Sequence, residues 1–220
     1  MKYKLGILII LSVIWTGCVT MPDAVDEAYL VEKTTDESAK IDKIEGDVIA
    51  KKKSKDKIEK DQEIVTQRVE ASRKQVAGAE AEGALLLEQE KLYKMTGDTK
   101  LSDIQKQKEA NNAKIAQAKA VLEYNIAKKN ETDAQLELAA ADLGLRVAEL
   151  RYEKSLIAKK YQMKRSKEFA KNMIDETEYQ KFMENQKREY DESRTKHEKA
   201  AKILTEAEEK LKRAGYEVEK

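Results

Sequence analysis

Cysteine and histidine, two side chains that serve as nucleophiles, general bases and metal ligands, each occur once in this 220-residue sequence. Cys18 is the only thiol, so the chain has no internal disulfide and no cysteine metal site. His197 is the only imidazole, and neither a metal ligand nor a general base at that position would have a second His or Cys to support it. The many carboxylates alternate with lysines, as on solvated helix faces. The sequence therefore predicts no catalytic site, no metal site and no cofactor.

Cys18 lies at the end of a pattern that is typical of secretory signals. The sequence opens with the basic stretch MKYK, continues with an apolar run from Leu5 to Trp15, and reaches small residues directly before the cysteine. An apolar run of this length is too short to cross a bilayer as a stable helix. We therefore expect a cleavable signal peptide over residues 1–17.

The stretch Trp15-Thr16-Gly17-Cys18 resembles the signal of bacterial lipoproteins, in which the peptide is cut before the cysteine and that cysteine carries lipid such as palmitate. Trp15 stands where Leu, Val or Ile is usual. The resemblance implies a membrane partner through lipid on Cys18 and a short lipidated tether over residues 18–23. Val19, which is not Asp, favours the outer membrane, facing the periplasm, under enteric-type sorting rules. The alternative is an ordinary secretory signal with an incidental cysteine.

The charge balance excludes one class of partner. Lys and Arg number 43 against 42 acidic residues. Removal of residues 1–17 takes away Lys2 and Lys4, which leaves 41 basic against 42 acidic residues and a net charge of −1. Binding to nucleic acid needs a strong basic excess. The sequence therefore predicts no nucleic-acid partner.

Composition and periodicity both indicate long helices. Charged residues make up 39% of the sequence and aromatic residues 5%, with 8 Gly and one Pro, which is the profile of coiled coils rather than of a compact globule. Over residues 41–93, most positions at alternating steps of three and four are apolar or small, as in a heptad seam. Similar patterns run over 104–161 and 179–214.

These patterns predict an all-α fold built on a long antiparallel coiled-coil hairpin over residues 24–174, with its tip at 96–101. A shorter third helix over 175–215 is expected to pack on the membrane-proximal half, followed by a tail at 216–220. Each arm of the hairpin has about 70 residues and a length of about 105 Å. The tip is then the point furthest from the lipid.

Helix boundaries and pairings follow from local signals. Ser102, with Gln105 three residues on, forms a capping-box pattern that can start the second helix. Asp175 with Glu178 gives a similar start signal for the third helix, and Gly215 is suited to a C-terminal cap.

Antiparallel folding about the predicted turns fixes which residues should meet. In the hairpin, Gly83 is expected opposite Ile115. The third helix, folded back near Ile174, is expected to place Leu204 near Arg146.

The hairpin tip is the most specific candidate binding site. Lys91, Met95 and Ser102 stand at spacings of four and seven, with Gly97 and Asp98 between them. This pattern resembles the hairpin tip of periplasmic adaptor (membrane fusion) proteins of tripartite efflux pumps, in which Arg, Leu and Ser at those spacings meet a TolC-type outer-membrane channel. The resemblance implies that these residues contact a protein partner in the envelope. The alternative is that the segment is only a turn.

Two further features concern the cell wall. The block at residues 51–60 carries six lysines against two acids and could touch anionic lipid or cell-wall polymer; a solvated face with compensating partners is the alternative. The sequence ends in Lys220, as does the small murein-linked lipoprotein of the outer membrane, whose terminal lysine joins peptidoglycan. Both features are compatible with peptidoglycan contact.

The sequence as a whole favours a non-enzymatic, lipid-anchored cell-envelope protein that acts as an elongated stalk or scaffold and positions a periplasmic partner. Two alternatives remain open: adaptor-like docking of the hairpin on a TolC-type channel, and a periplasmic holdase chaperone whose helical arms cradle unfolded clients. A homo-oligomer is compatible with each of these hypotheses.

Overall fold

The computed structural model describes residues 21–96, 100–165 and 173–216. In this part the chain forms a short 3-10 helix, three α-helices and no strand, so the predicted all-α fold is confirmed. The 3-10 helix is Glu27–Leu30, and the α-helices are α1 (Thr35–Thr96), α2 (Leu101–Lys164) and α3 (Glu176–Arg213). The 62 residues of α1 and the 64 of α2 correspond to lengths of about 93 and 96 Å. None of the described helices is long and apolar enough to cross a membrane.

Helices α1 and α2 form the predicted antiparallel hairpin, in close to the predicted register. A Cβ atom on Gly83 would lie 3.6 Å from Cδ1 of Ile115, as expected for facing residues. Further down, Asn125 Nδ2 donates to Ser72 Oγ at 2.7 Å. The buried residues of α1 lie on the heptad seam identified from the sequence: Ile41, Val65, Val69, Ser72, Val76, Leu86 and Glu90.

Helix α2 is the central element, because α1 packs along one of its sides and α3 along another. Over residues 121–162 nearly every α2 side chain is at least partly buried. Ala148, Ser155 and Ala158 are fully buried, and such small side chains allow helix backbones to approach closely. Sequence periodicity did not reveal this two-sided burial, because a helix with two partners does not keep a single apolar stripe.

Both ends of α3 follow the predicted capping signals. Asp175 is the N-cap residue, and its carboxylate accepts a hydrogen bond from the Thr177 backbone N–H at 2.9 Å. At the other end Gly215 has a φ of 84°, a left-handed conformation that favours glycine. The N–H groups of Gly215 and Tyr216 donate to the carbonyls of Lys212 and Leu211, which forms a Schellman motif.

The predicted register of α3 is wrong. Lys196 pairs with Glu137 at 3.2 Å, whereas the prediction of Leu204 near Arg146 would have placed Lys196 about 17 residues further along α2. The error arose because the fold was centred near Ile174, although α2 already ends at Lys164. Helix α3 therefore lies about 25 Å closer to the hairpin tip than expected.

The segment before α1 also differs from its prediction. A helix was expected from about residue 24, yet Met21–Asp26 is not helical and α1 begins only at Thr35. Thr34 and Glu37 form a reciprocal capping box at this point: the Thr34 N–H donates to Glu37 Oε2 at 2.8 Å, and the Glu37 N–H donates to Thr34 Oγ1 at 3.2 Å. This capping box therefore sets the start of α1.

This N-terminal segment runs along α2 toward the end of the rod opposite the tip, which we call the base. Its Pro22 carbonyl accepts a hydrogen bond from the Arg151 guanidinium, and its Glu32 pairs with Lys164 at 3.3 Å. The apolar side chains of the segment belong to a buried cluster that joins all three helices: Val25, Leu30, Ile41, Ile157, Ala158 and Tyr179. The segment is thus part of the core at the base.

Candidate functional site

The structure places three of the predicted tip residues on the surface at the distal end of the hairpin. Lys91 and Met95 lie in the last two turns of α1, and Ser102 is the second residue of α2; all three are exposed. Met95 is 86% exposed, the highest value among the large apolar side chains of the described residues. Gly97 and Asp98 lie outside the described residues.

Ser102 does not have its predicted role as a cap. The N-cap residue of α2 is Lys100, which makes no side-chain capping hydrogen bond. The Ile104 N–H donates to the Lys100 carbonyl at 3.2 Å, and the Ile104 side chain is 5% exposed. Burial of this side chain on the seam therefore helps to start the helix. The Ser102 hydroxyl is consequently on an exposed residue of the first turn.

Glu90 forms an ionic link between the helices just below the tip. Its carboxylate lies 2.5 Å from Nζ of Lys108 on α2 and 2.7 Å from Nζ of Lys94 on its own helix. Lys108 first, and then Lys94, lower the pKa of Glu90 from its usual value to about 2. Periodicity does not reveal this link, because Lys108 lies on the other side of the turn.

A strip of uncharged residues follows one flank of α1 toward the tip. We define the distal strip as Gly78, Leu85 and Leu92, which follow Ala71 at steps of seven residues. Leu85 is 61% exposed and Leu92 is 57% exposed, whereas Leu86, one residue further along the helix, is 8% exposed on the seam. The distal strip therefore lies beside the hairpin seam and faces solvent.

The end of α3 borders this strip. An open cavity of about 390 Å³ lies between the hairpin and the end of α3, and Ala71, Gln75, Val121, Leu211 and Tyr216 are among its lining residues. Ala71 thus lies across this cavity from the end of α3, and the distal strip continues its seven-residue series toward the tip. Periodicity did not reveal the strip, since its leucines do not lie on the predicted seam.

His197 lies between α3 and α2, as expected for a residue on a heptad seam. Its Nε2 is 3.1 Å from Oε1 of Glu131, whose other oxygen accepts from Lys128 Nζ at 2.9 Å. Among residues 21–96, 100–165 and 173–216, no group of three His, Cys, Asp or Glu side chains is arranged to hold a metal ion. The contact between His197 and Glu131 therefore packs α3 on α2.

The lysine block at residues 51–60 is partly compensated. Lys51 pairs with Asp142 on α2 at 2.6 Å, and Lys55 pairs with Glu59 on its own helix. The four other lysines of the block are exposed: Lys52, Lys53, Lys57 and Lys60. Cys18 and Lys220 lie outside the described residues.

Searches of protein-family models, curated proteins and solved structures found no match to this chain. The exposed residues of the distal end offer apolar contact at Met95, Leu85 and Leu92, together with a cation at Lys91 and a hydroxyl at Ser102. Such a surface is suited to binding another protein.

Proposed function

We propose that this chain is a non-enzymatic, lipid-anchored protein of the cell envelope that acts as a coiled-coil stalk and positions a periplasmic partner. The observation that carries the proposal is the shape of the rod. Two helices of about 95 Å run its full length, whereas α3 covers only the part toward the base. From the level of Gln75 to Thr96, about 32 Å, the two-helix arm stands beyond the end of α3.

The base is a suitable place for an anchor. Lipid on Cys18 would hold the chain three residues before Met21, a distance of at most about 11 Å. Pro22 bonds to Arg151 at a level about 13 residues, or about 20 Å, from the end of α2. The anchor would therefore attach to the side of the base and not to its end. The rod would then lie inclined to the membrane rather than perpendicular to it. The outer membrane, facing the periplasm, is the location that Val19 favours.

Lipidation is tested by metabolic labelling with palmitate in a bacterial host. We expect the chain to be labelled and to fractionate with membranes, while Cys18→Ser abolishes the label and releases the protein. Thr16→Ser is a matched control that changes the same segment and leaves the cysteine in place. An unlabelled wild-type chain would rule out the anchor and leave only an exported rod.

A second candidate function, adaptor-like docking on a TolC-type channel, is favoured by the exposure of Lys91, Met95 and Ser102 at the distal end. Contact there would combine an apolar side chain with a cation and a hydroxyl. A lysine lacks the planar two-point donor geometry of arginine, so its contact with a channel would be less directional.

Docking is tested by placing a photo-crosslinking amino acid at Asp98 in cells, with the same amino acid at Lys53 as the control. We expect a specific adduct from Asp98 and none from Lys53. Met95→Ala with Ser102→Ala should reduce the adduct at least severalfold, while Met163→Ala, which changes an exposed methionine at the base, should not. Equal adducts from both positions, or no adduct, would indicate that the tip is only a turn and binds no partner.

A further inference from the structure

The cavity beside the end of α3 is a gap that the packing of the three helices leaves open. Among the described residues α3 packs on α2 and not on α1, so its end stands across the cavity from Ala71. The volume of about 390 Å³ lies within the range of small-molecule sites, about 300–1,000 Å³. The cavity therefore has room for a ligand of the size of a sugar residue.

One wall of the cavity is set by the end of α3. The left-handed conformation of Gly215, with its φ of 84°, turns the chain, and the Tyr216 N–H donates to the Leu211 carbonyl at 3.2 Å. Both Leu211 and Tyr216 line the cavity. Leu211 is buried, and Tyr216 is half-buried. The cap of α3 thus holds an aromatic ring in the cavity wall.

The hairpin side of the cavity carries polar groups. The Ser72 hydroxyl donates to the Arg68 carbonyl at 2.9 Å and accepts from Asn125 Nδ2 at 2.7 Å, which fixes the Asn125 amide. Gln75 and Gln117 also line the cavity, and neither makes a hydrogen bond to any described residue. Amide side chains offer both donors and acceptors. These groups can therefore bind neighbouring hydroxyl groups of one ligand.

Arg68 carries the only charge among the described residues that line the cavity, and no described carboxylate pairs with it. Burial raises the pKa of the Tyr124 hydroxyl, Glu208 adds to this rise, and Lys128 and Arg68 oppose it. Tyr124, which also lines the cavity, therefore keeps its proton at neutral pH and can donate a hydrogen bond. A guanidinium beside such a donor is suited to a carboxylate, which it binds through parallel N–H groups.

We propose that this cavity binds a saccharide that carries a carboxylate. The carboxylate pairs with Arg68, and the ring hydroxyl groups of the sugar bond to the amides of Gln75 and Gln117. The apolar face of the sugar ring packs on the ring of Tyr216, whose body is apolar and whose hydroxyl is polar.

Other ligand classes match the lining less well. A metal cation would find no carboxylate among the described lining residues and would be repelled by Arg68. A ligand with several phosphates would bring many negative charges to a single guanidinium. A purely apolar ligand would leave amide groups without hydrogen-bond partners, which is unfavourable.

The proposal rests on the cavity alone and depends on neither the lipid on Cys18 nor the hairpin tip. It is tested by isothermal titration calorimetry on the full chain, purified in detergent from a bacterial host. We expect N-acetylmuramic acid to bind with a Kd of about 1 mM or tighter. N-acetylglucosamine, which lacks the lactyl carboxylate, should bind at least about tenfold more weakly, because a hydrogen bond to a charged group is lost.

Lactate alone should also bind at least about tenfold more weakly than N-acetylmuramic acid, because it lacks the ring and its hydroxyl groups. Lactate binding as tightly as the sugar would overturn the proposal. Failure of N-acetylmuramic acid and of glucuronic acid to bind at about 10 mM would overturn it as well.

Glucuronic acid distinguishes two sources of the ligand. Tighter binding of N-acetylmuramic acid would support the proposal and indicate a cell-wall sugar. Tighter binding of glucuronic acid would support it equally and indicate an acidic polysaccharide.

Variants locate the site. Arg68→Gln should reduce the affinity for N-acetylmuramic acid to that for N-acetylglucosamine and leave the latter unchanged. Arg73→Gln is the matched control, because Arg73 is an exposed arginine of the same helix that is not among the lining residues. Tyr216→Ala should weaken the binding of both sugars severalfold, whereas Tyr216→Phe keeps the ring and should retain most of it. Circular dichroism should show the same helicity in every variant.

Two outcomes would overturn the assignment of the residues. One is an Arg68→Gln chain that still prefers N-acetylmuramic acid to N-acetylglucosamine. The other is an equal loss of affinity in Arg68→Gln and Arg73→Gln.

Discussion

Asn111 of α2 fills the space left by the missing side chain of Gly83 on α1. A Cβ atom on Gly83 would come within 2.8 Å of Asn111 Nδ2. The asparagine is 2% exposed and donates from Nδ2 to the Ala79 carbonyl at 3.1 Å. A buried asparagine on a coiled-coil seam fixes register at some cost in stability. The pair therefore specifies how the two arms of the hairpin align.

We predict that Gly83→Ala lowers the free energy of unfolding. Replacing glycine by alanine within a helix normally raises the free energy of unfolding by about 0.5–1 kcal/mol. Here the new methyl group would displace the Asn111 amide from its acceptor, and a buried polar group without a partner costs about 1–3 kcal/mol. Urea unfolding followed by circular dichroism measures the net loss of about 1 kcal/mol.

Gly46→Ala is the matched control, because a Cβ atom there has no neighbour within 4 Å among the described atoms. It should raise the free energy of unfolding by about 0.5–1 kcal/mol. Adding Asn111→Ala to Gly83→Ala should recover part of the loss, since the clash is removed. Equal stabilisation by Gly83→Ala and Gly46→Ala would contradict the close contact between Gly83 and Asn111.

The N-terminal segment provides a second prediction. Leu30 is 3% exposed within the buried cluster at the base, whereas its neighbour Val31 is 77% exposed. Leu30→Ala should lower the free energy of unfolding by about 2–5 kcal/mol, as expected for truncation of a buried leucine. Val31→Ala should change it by no more than about 0.5 kcal/mol. Chemical unfolding compares the two, and similar effects would show that the segment is not packed on the helices.

The start of α1 is the subject of the third prediction. Thr34→Ala removes the side-chain acceptor for the Glu37 N–H and should cost about 0.5–2 kcal/mol. Amide hydrogen exchange in the first turn of α1 should accelerate, because fraying from this end becomes easier. Thr35→Ala changes the neighbouring threonine and leaves the capping pair intact, so exchange there should remain slow. Acceleration in both variants would mean that Thr34 is not the cap.

The sequence was sufficient for features that depend on local spacing. The heptad seam of α1, the hairpin pairing of Gly83 with Ile115, and the caps at Asp175 and Gly215 each need only a few neighbouring residues or one symmetric turn. The register of α3 was wrong because it depends on how many residues the connection after Lys164 uses, and periodicity carries no information on that length.

Other features were missed because their partners are distant in sequence. Leu30 packs on Ile157 and Tyr179, more than a hundred residues away, and its segment has no helical period to reveal this. The capping box at Thr34 and Glu37 needs only residues three apart, but the expectation of a helix from about residue 24 left no place for a helix start there. At the tip, Met95 is exposed and its role in binding stays a prediction. The spacing that singled it out could not identify the flank beyond the end of α3.

The last prediction concerns the link between Glu90 and Lys108. Because these groups hold the pKa of Glu90 at about 2, below its usual 4.5, the folded state keeps the carboxylate charged over a range in which the unfolded chain protonates it. The stabilisation is therefore complete above about pH 4.5 and is lost as the pH falls toward 2. Glu90→Gln should lower the urea midpoint at pH 7 and have much less effect at pH 2.5, where the wild-type chain has also lost most of this contribution. Glu88→Gln, which changes an exposed carboxylate on the same helix, should have little effect at either pH. If the urea midpoints of the wild-type chain and of Glu90→Gln differ by the same amount at both pH values, the ionic link does not stabilise the distal arm.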